Sequence, residues 1–394
     1  MKAAWHTIRL GDIADIQSGG TPLVSNKAFW NGEIPWYSSG ELNDLFTRAS
    51  ERSLSVAGLE GSNAKLFPAG SLLIGMYDTA ALKMSILDRA GAFNQAIAGV
   101  RPNDKTDLAF IRYAIDSNRD QILDQRRGVR QKNLSLAKIR DLELQLPPLH
   151  EQQRIVAILD ETFDGIAIAR ANAAQNLINA RALFEGHLDA VFSQRGEGWR
   201  EATIGQHIRF IDYRGKTPQK TESGVRLITA KNVKMGFLQE APMEFVAPES
   251  YDDWMTRGIP NRGDVLFTTE APLANVAQLD TDEKVVFAQR IIIMQPDAST
   301  LDSTFLKYLL LSPPVQKQIH DKGTGATVKG IKASLLKAIE VSFPSSVNEQ
   351  QQLAEKLDEL AAATESLESL YQRKIEASDE LKESMLHQAF SGQL

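Results

Sequence analysis

The chain has 394 residues, a formal net charge of −6 and no cysteine. This length allows two or three domains, each large enough to bury its own core. Without cysteine the chain can form neither structural disulfides nor thiolate metal sites, and a reducing cytoplasm is its expected location. The longest apolar runs, such as residues 290–294, are far too short to cross a bilayer, so we expect no membrane partner.

Residues 1–147 are predicted to form a first globular block of mixed α/β structure. Short apolar runs bounded by turn residues, such as residues 71–74, are typical of buried strands. One helix is predicted near Phe110 to Asp124. Directly after it, residues 126–132 carry four positive charges around Gly128, which makes this segment the strongest candidate for contact with a polyanion.

Residues 148–198 are predicted to form a first long helix and a linker. Apolar, small and polar residues recur along it with alternating spacings of four and three, which is typical of a coiled-coil seam. A helix of this kind is ~65 Å long, at ~1.5 Å per residue. The predicted seam consists of Ile155, Leu159, Thr162, Ile166, Ala169, Ala173, Asn176, Ala180, Leu183 and His187.

Residues 199–344 are predicted to form a second block that repeats the first. Trp5, Phe93 and Gln95 return 194 positions later, as Trp199, Phe287 and Gln289. A second helix is predicted near residues 305–320, with an interruption at residues 313–314, which are both proline. Further repeats, 197 positions apart, pair Gly128, Lys132, Glu143 and Pro147 with Gly325, Lys329, Glu340 and Pro344.

Residues 345–394 are predicted to form a second long helix, because residues 151–161 return as residues 349–359. The predicted fold class is therefore α+β. Two similar mixed α/β domains are separated by two long helices that pack as an antiparallel coiled coil, with an internal pseudo-twofold repeat. The second seam consists of Leu353, Leu357, Leu360, Thr364, Leu367, Tyr371, Lys374, Ser378, Leu381 and Met385.

The acidic total does not exclude a nucleic-acid partner, because the charge is unevenly distributed. The two blocks carry net charges of +2 and +1, whereas the helical segments carry −3 and −6. No catalytic motif is found. The segment Gly215 to Thr217 lacks the earlier glycine of a phosphate-binding loop, and neither Pro-Pro pair has the flanking residues that an amino-methyltransferase needs. We therefore expect a chain that is not an enzyme and binds neither cofactor nor metal.

The order of several short motifs, found twice in the chain, resembles the DNA-specificity subunit of type I restriction–modification enzymes. The resemblance covers essentially the whole chain, although single pieces such as Gly-Gly-Thr-Pro are weak. The second block departs from it at residues 213–218 and 226–229. The matching segments are Trp5 with residues 10–13, residues 18–22, 32–36, 128–134, 146–149 and 151–153, and residues 390–392.

The resemblance implies that the two blocks are target-recognition domains, each of which reads one half of a split, asymmetric site in double-stranded DNA. The long helices would set the gap, near one DNA turn of ~34 Å. Two methyltransferase subunits would dock on the helices and use S-adenosylmethionine to methylate adenine. Restriction/translocase subunits would bind ATP and Mg, so that this chain itself would need no cofactor.

Two classes of DNA contact are predicted. The basic loop of each copy is expected to position phosphates, through Arg126, Arg127, Arg130, Gln131 and Lys132 in the first copy and Lys322, Thr324 and Lys329 in the second. Loops that differ between the copies are expected to read bases. These readers are Tyr37, Ser38, Tyr77 and Asp78 in the first block and Lys231, Asn232, Thr269 and Glu270 in the second, with Lys216 as a further DNA-binding candidate.

Two other classes of protein remain open at this point. A scaffold that binds only proteins would also explain two globular modules on a coiled coil, and the acidic total favours it slightly. A DNA-modifying enzyme in its own right is opposed by the missing cofactor motifs. Salt-sensitive DNA binding would separate a DNA reader from a scaffold, and binding of S-adenosylmethionine to the lone chain would support an enzyme.

Overall fold

The computed structural model of the protein describes residues 5–124, 134–194, 196–213, 217–325 and 328–394. The chain divides into two compact units. The first unit comprises Met1–Asn172 together with Lys374–Leu394, and the second comprises Ala173–Arg373. Each unit therefore contains one globular domain, the start of one long helix and the end of the other.

In the first unit, the central sheet has the strand order β2-β8-β5-β6 with antiparallel neighbours. A second sheet, β4-β3-β7, contains one parallel pair, and β1 pairs with β9. The elements are β1 (His6–Arg9), α1 (Leu10–Ile13), β2 (Ile16–Ser18), β3 (Trp30–Tyr37), β4 (Arg52–Leu54), α2 (Val56–Glu60), β5 (Leu72–Gly75), β6 (Met84–Ile86), β7 (Ala92–Phe93), β8 (Ile97–Val100), α3 (Leu108–Ser117), α4 (Arg119–Asp124), α5 (Leu136–Arg140), β9 (Glu143–Leu146) and the start of α6 (Leu149–Ser193).

The second unit repeats the central sheet, as β11-β18-β15-β16, and the two-stranded pair, as β10-β19. Its remaining sheet, β12-β14-β13-β17, has one strand more than the corresponding sheet of the first unit. Its elements, after the end of α6, are β10 (Trp199–Thr203), α7 (Ile204–His207), β11 (Ile208–Asp212), β12 (Lys220–Thr221), β13 (Val225–Ile228), β14 (Glu244–Val246), α8 (Tyr251–Trp254), β15 (Val265–Thr269), β16 (Leu273–Gln278), β17 (Val285–Phe287), β18 (Ile291–Pro296), α9 (Ser303–Leu311), α10 (Pro313–Lys322), α11 (Ala333–Lys337), β19 (Glu340–Pro344) and α12 (Val347–Phe390).

The central strands are buried on both faces, which explains why their sequences are continuously apolar. In β5, Leu72 and Ile74 pack in one core with Phe110 of α3, whereas Leu73 packs in a separate core with Phe67 on the opposite face of the sheet. Strand β15 is buried in the same alternating way in the second unit. A strand covered on both faces has no position at which a polar residue would be favoured.

The long helices run antiparallel within each unit, as predicted. In the first unit, Arg154 donates to the Leu394 carbonyl at 3.1 Å and Arg170 binds Asp379 at 2.9 Å, so rising numbers in α6 meet falling numbers in α12. In the second unit, Arg181 binds Glu368 at 2.9 Å. Within the described residues, no helix combines the length and apolarity that a membrane span requires.

The end of each long helix packs against the globular domain other than the one directly before that helix in the sequence. In the first unit, the Phe390 ring at the end of α12 lies 5.2 Å from Phe110. In the second unit, the Phe192 ring at the end of α6 lies 5.4 Å from Phe305 of α9. The repeated Phe-Ser sequence at the two helix ends therefore has the same packing role in both copies.

The predicted coiled-coil seam is correct in only part of its positions. Leu357 and Thr364 are buried, but Leu367, Leu381 and, in α6, Leu183 are exposed by 38%, 49% and 63%. Positions one residue later in the sequence, such as Phe184, pack into the domain core instead. The seam prediction is wrong at these positions because each helix packs against a globular domain as well as against the other helix. The buried face of the helix is therefore turned away from the ideal coiled-coil seam.

A tyrosine from each globular domain is bound to an aspartate near the start of a long helix. The Tyr113 hydroxyl donates to Asp160 Oδ1 at 2.5 Å, and the Tyr308 hydroxyl donates to Asp358 Oδ1 at 2.5 Å. Burial, together with the neighbouring carboxylate, raises the pKa of both tyrosines well above its usual range. The two copies thus join domain to helix by the same bond.

We expect Tyr113→Phe and Tyr308→Phe each to lower the free energy of unfolding by about 1–2 kcal/mol at pH 7, because one bond to a carboxylate is lost. Since the folded-state pKa is raised, the hydroxyl contributes its full stability below ~pH 10 and loses it as the pH rises further. Urea unfolding from pH 7 to pH 11 should therefore show each variant approaching the original protein at alkaline pH. A constant difference across this range would contradict the bond.

Candidate nucleic-acid interface

In the first domain, three segments meet at the end of strand β5. The Met76 amide donates to the Ala96 carbonyl at 2.9 Å, which joins the end of β5 to the residue that precedes β8. The Leu134 amide donates to the Met76 carbonyl at 2.8 Å. Leu134, which lies two residues after the predicted phosphate-binding segment 126–132 in the sequence, is therefore held beside the end of β5.

The second domain has the same arrangement at the end of strand β15. The Thr269 amide donates to the Arg290 carbonyl at 2.8 Å, and the Ile331 amide donates to the Thr269 carbonyl at 2.9 Å. Ile331 follows the glycine-rich loop, residues 322–330. Sequence position and hydrogen bonding thus make Thr269 the equivalent of Met76, and Arg290 the equivalent of Ala96.

The glycine-rich loop closes on itself. Thr324 and Gly330 exchange backbone hydrogen bonds of 2.8 and 2.9 Å. Between them, Gly325 has a φ of 127°, a conformation that side chains other than glycine rarely adopt. Lys329 is exposed, whereas the Lys322 ammonium group donates to the Ala338 carbonyl at 3.1 Å. Lys329 is therefore exposed to solvent just before Gly330, where backbone hydrogen bonds to Thr324 hold the two sides of the loop together.

This loop and the end of β15 line a cleft of about 330 Å³, which we call the second-domain cleft. Across it, Arg290 Nε lies 2.9 Å from Glu270 Oε1, and both side chains are close to half exposed. Two of the cleft's side chains, Arg290 and Lys332, are cationic and one, Glu270, is anionic. The lining residues are Thr269, Glu270, Gln289, Arg290, Thr324, Val328, Gly330, Ile331 and Lys332.

A threonine–glutamine bond lies at the same place in both copies. Thr21 of the Gly-Gly-Thr-Pro segment donates to Gln95 Oε1 at 2.5 Å, and Thr217 donates to Gln289 Oε1. The preceding Gly19 leaves no room for a side chain, since a Cβ there would lie 2.1 Å from the Phe93 carbonyl oxygen. The sequence shows that Gln95 and Gln289 are repeats of one another, but neither was predicted as a site residue. Their repetition is the one feature of the sequence that could have indicated this role.

The family model for the type I restriction modification DNA specificity domain matches residues 2–178 and 255–377. The chain belongs to this family. It is a type I restriction–modification specificity subunit, and the predicted resemblance is confirmed. Members of this family supply DNA sequence recognition to the restriction–modification system.

Curated relatives agree with this assignment. The MjaVIII specificity subunit of Methanocaldococcus jannaschii is 20% identical over an alignment 411 residues long. The alignment covers 99% of this chain and 93% of that relative. The EcoR124I/EcoR124II specificity subunit of Escherichia coli is 29% identical over 202 residues, and this match covers 48% of each protein.

Solved structures share the fold of the specificity subunit. A chain from a type I R-M system, studied for its complex assembly and conformational transition, has a TM-score of 0.79 at 17% identity, with 100% of both chains covered. The HsdS subunit of Thermoanaerobacter tengcongensis has a TM-score of 0.65 at 19% identity and covers 99% of this chain and 97% of its own. The predicted α+β fold with two repeated domains and paired long helices is confirmed.

The predicted readers of the first domain occupy different environments. Tyr37 is only 2% exposed, its hydroxyl donates to the Arg48 carbonyl at 3.1 Å, and burial raises its pKa. Ser38 donates to Glu41 Oε2 at 2.8 Å in a capping box. These contacts favour structural roles over base contact. Tyr77 is half-buried and follows Met76, whose carbonyl accepts from the Leu134 amide. The side chain of Asp78 is not among those that the structure describes.

The predicted readers of the second domain also divide into two groups. Asn232 is 1% exposed, and its amide group donates to the carbonyls of residues 239, 240 and 242, which favours a structural role. Lys231 beside it is exposed. The structure brings Thr269 and Glu270 together with Thr324 in the second-domain cleft, although Thr269 is only 3% exposed.

Several predicted phosphate contacts fall on parts of the chain that the structure does not describe. The residues outside the described ranges are Arg126, Arg127, Arg130, Gln131, Lys132 and Lys216.

Proposed function

We propose that the specificity subunit binds double-stranded DNA and reads a split, asymmetric site, with one half read by each globular domain. The observation that supports this most strongly is the repeated meeting of three segments at the ends of β5 and β15. The backbone bonds are the same in both copies, but the side chains at equivalent positions differ, as with Ala96 and Arg290. A shared backbone with different side chains suits two domains that dock alike on DNA and read different bases.

The basic loops supply the positioning contacts in this proposal. Residues 126–132 of the first copy carry four cationic side chains, and Lys329 of the second copy is exposed on the closed loop. Lysine and arginine side chains bind phosphates of any sequence, so they provide affinity and orientation. In this proposal, residues at the neighbouring strand ends, Tyr77 in the first domain and Glu270 in the second, approach base edges.

The long helices provide the docking surface for two methyltransferase subunits, and their length sets the gap between the half-sites. In this proposal, the methyltransferase subunits cover apolar side chains that the long helices leave exposed. Residues in both α6 and α12 fit this description. They are Ile168, Ile178, Leu183, Leu367, Leu370 and Leu381, exposed by between 38% and 64%.

In this scheme the chain itself is not an enzyme. The methyltransferase partner binds S-adenosylmethionine and methylates adenine, and restriction/translocase subunits, where they join, bind ATP and Mg. The specificity subunit contributes recognition and geometry alone.

A genome-wide map of methylated adenines, in cells with this gene intact, deleted or restored on a plasmid, tests the proposal. We expect deletion to remove methylation from one split, asymmetric motif, and restoration to return it. The map would also reveal both half-sites and the gap between them. An unchanged map in cells that express the protein and its methyltransferase would contradict the proposal and favour the scaffold that binds only proteins.

A further inference from the structure

Arg290 has an unusual backbone conformation at the edge of the second-domain cleft. Its φ is 113°, which lies in the region that side chains other than glycine rarely adopt. Its carbonyl oxygen accepts bonds from both the amide and the hydroxyl of Thr269, at 2.8 and 3.3 Å. A strained residue held by two bonds at a candidate site indicates that its side chain serves a purpose other than stability.

The side chain of Arg290 is held at one end and accessible at the other. Its Nε atom faces Glu270 Oε1 at 2.9 Å, and 46% of the side chain is exposed. Guanidinium groups are planar and donate from several fixed nitrogens. A bond at Nε uses the side edge of the guanidinium and orients its plane, so the end edge, formed by one N–H of Nη1 and one of Nη2, is a candidate donor pair for a further acceptor.

At the equivalent positions of the first domain, both of which the structure describes, no such ion pair is formed. The residue equivalent to Arg290 is Ala96, and the residue equivalent to Glu270 is Tyr77, as the backbone bonds of Met76 and Thr269 show. The neighbouring threonine–glutamine bond, in contrast, is present in both copies. Parts that both domains need are thus repeated, whereas the Arg290–Glu270 pair belongs to the second domain alone.

We propose that Arg290 determines specificity by reading a guanine in the half-site of the second domain, and that Glu270 is the positioning residue that orients it. This inference rests on the proposed function. The Nη1 and Nη2 groups donate to O6 and N7 of guanine in the major groove. Adenine is rejected because its N6 amino group is a donor at the place where guanine offers the O6 acceptor.

The test uses the full-length subunit in complex with its methyltransferase, and selects bound duplexes from a library randomised at both half-sites. We expect Arg290→Gly to lower the preference for guanine at one position of one half-site by about ten- to a hundredfold. Glycine also relieves the positive φ, so thermal melting should show the variant folded. Arg290→Lys keeps the charge but loses the planar fork, and should lose the same preference with less loss of total affinity.

Glu270→Gln separates the positioning role from direct reading. Loss of the carboxylate should weaken discrimination at the same guanine, without creating a preference at a new position. Arg262→Ala is the matched control: Arg262 also forms an exposed ion pair, with Asp282 at 3.1 Å, but lies before β15, whereas Glu270 follows it. This control should leave both half-sites unchanged.

The outcomes distinguish this inference from the proposed function. If the original complex selects a split motif but Arg290→Gly leaves every position unchanged, or weakens all sequences equally, the reading role of Arg290 is wrong and the proposed function stands. If the original complex selects no motif at all, the proposed function itself has failed.

Discussion

Replacing Arg126 and Arg127 together with alanine should weaken DNA binding roughly tenfold to a hundredfold, and by the same factor for every sequence. The two residues belong to the predicted phosphate-binding segment, residues 126–132, which precedes Leu134 in the sequence. Each contact with a phosphate is a charge-assisted bond, and it also releases a counterion from the DNA. A plot of log affinity against log salt concentration has a negative slope. The loss of two phosphate contacts should therefore make this slope shallower by about two.

Titration of the methyltransferase complex with target and scrambled duplexes, at several salt concentrations, measures both quantities. The matched control is Arg48→Ala with Arg262→Ala. It changes the net charge equally but removes exposed ion pairs outside the predicted phosphate-binding segment and the long helices, with Asp44 and Asp282, and such pairs contribute little to stability. A changed target sequence with intact affinity would assign base reading to the loop and contradict its positioning role.

Replacing Gln350 with leucine should lower the stability of the second unit by about 2–4 kcal/mol, the largest effect that we expect from a single substitution. Gln350 is fully buried; its Oε1 accepts from the Asp302 amide at 2.8 Å and its Nε2 donates to the Pro344 carbonyl at 2.8 Å. Leucine would leave these backbone groups buried without partners, at a cost of about 1–3 kcal/mol each.

Gln152→Leu should have the same effect on the first unit, because Gln152 binds the Asp107 amide at 2.9 Å and the Pro147 carbonyl at 2.8 Å. The two units have their own cores, so calorimetry should show one transition lowered by roughly 6–12 °C while the other changes less. The exposed neighbours Gln153 and Gln351 provide matched controls: Gln153→Leu and Gln351→Leu should shift neither transition by more than ~2 °C. Equal shifts for buried and exposed positions would contradict the anchoring role.

This pair of glutamines illustrates how far sequence reasoning reaches. The repeat of Glu-Gln-Gln showed that the segment matters in both copies, but nothing in it distinguishes the first glutamine from the second. The distinction depends on which side chain faces the amide groups at the starts of α3 and α9, and those amides are 45 and 48 residues away in the chain. Only the folded domain places them together.

The candidate site was also predicted only in part. Comparison of the copies predicted the paired basic loops and the loops that differ between the copies, because equivalent residues recur at shifts of 194 to 198 positions. It did not find Arg290, since the residue is unremarkable in sequence and its position depends on pairing with Thr269 from another strand. Tyr37 and Asn232 resembled readers by residue type, yet tertiary packing buries both.

The sequence by itself determined the two-copy architecture, some of the buried strands, the two long helices and the family, because these follow from periodicity and from motifs that repeat in order. Only the tertiary structure decided which face of each helix is buried, since the globular domains compete with the partner helix for it. It also decided that Phe390 closes the first unit and Phe192 the second. Contacts between residues this far apart depend on three-dimensional packing, which local pattern does not encode.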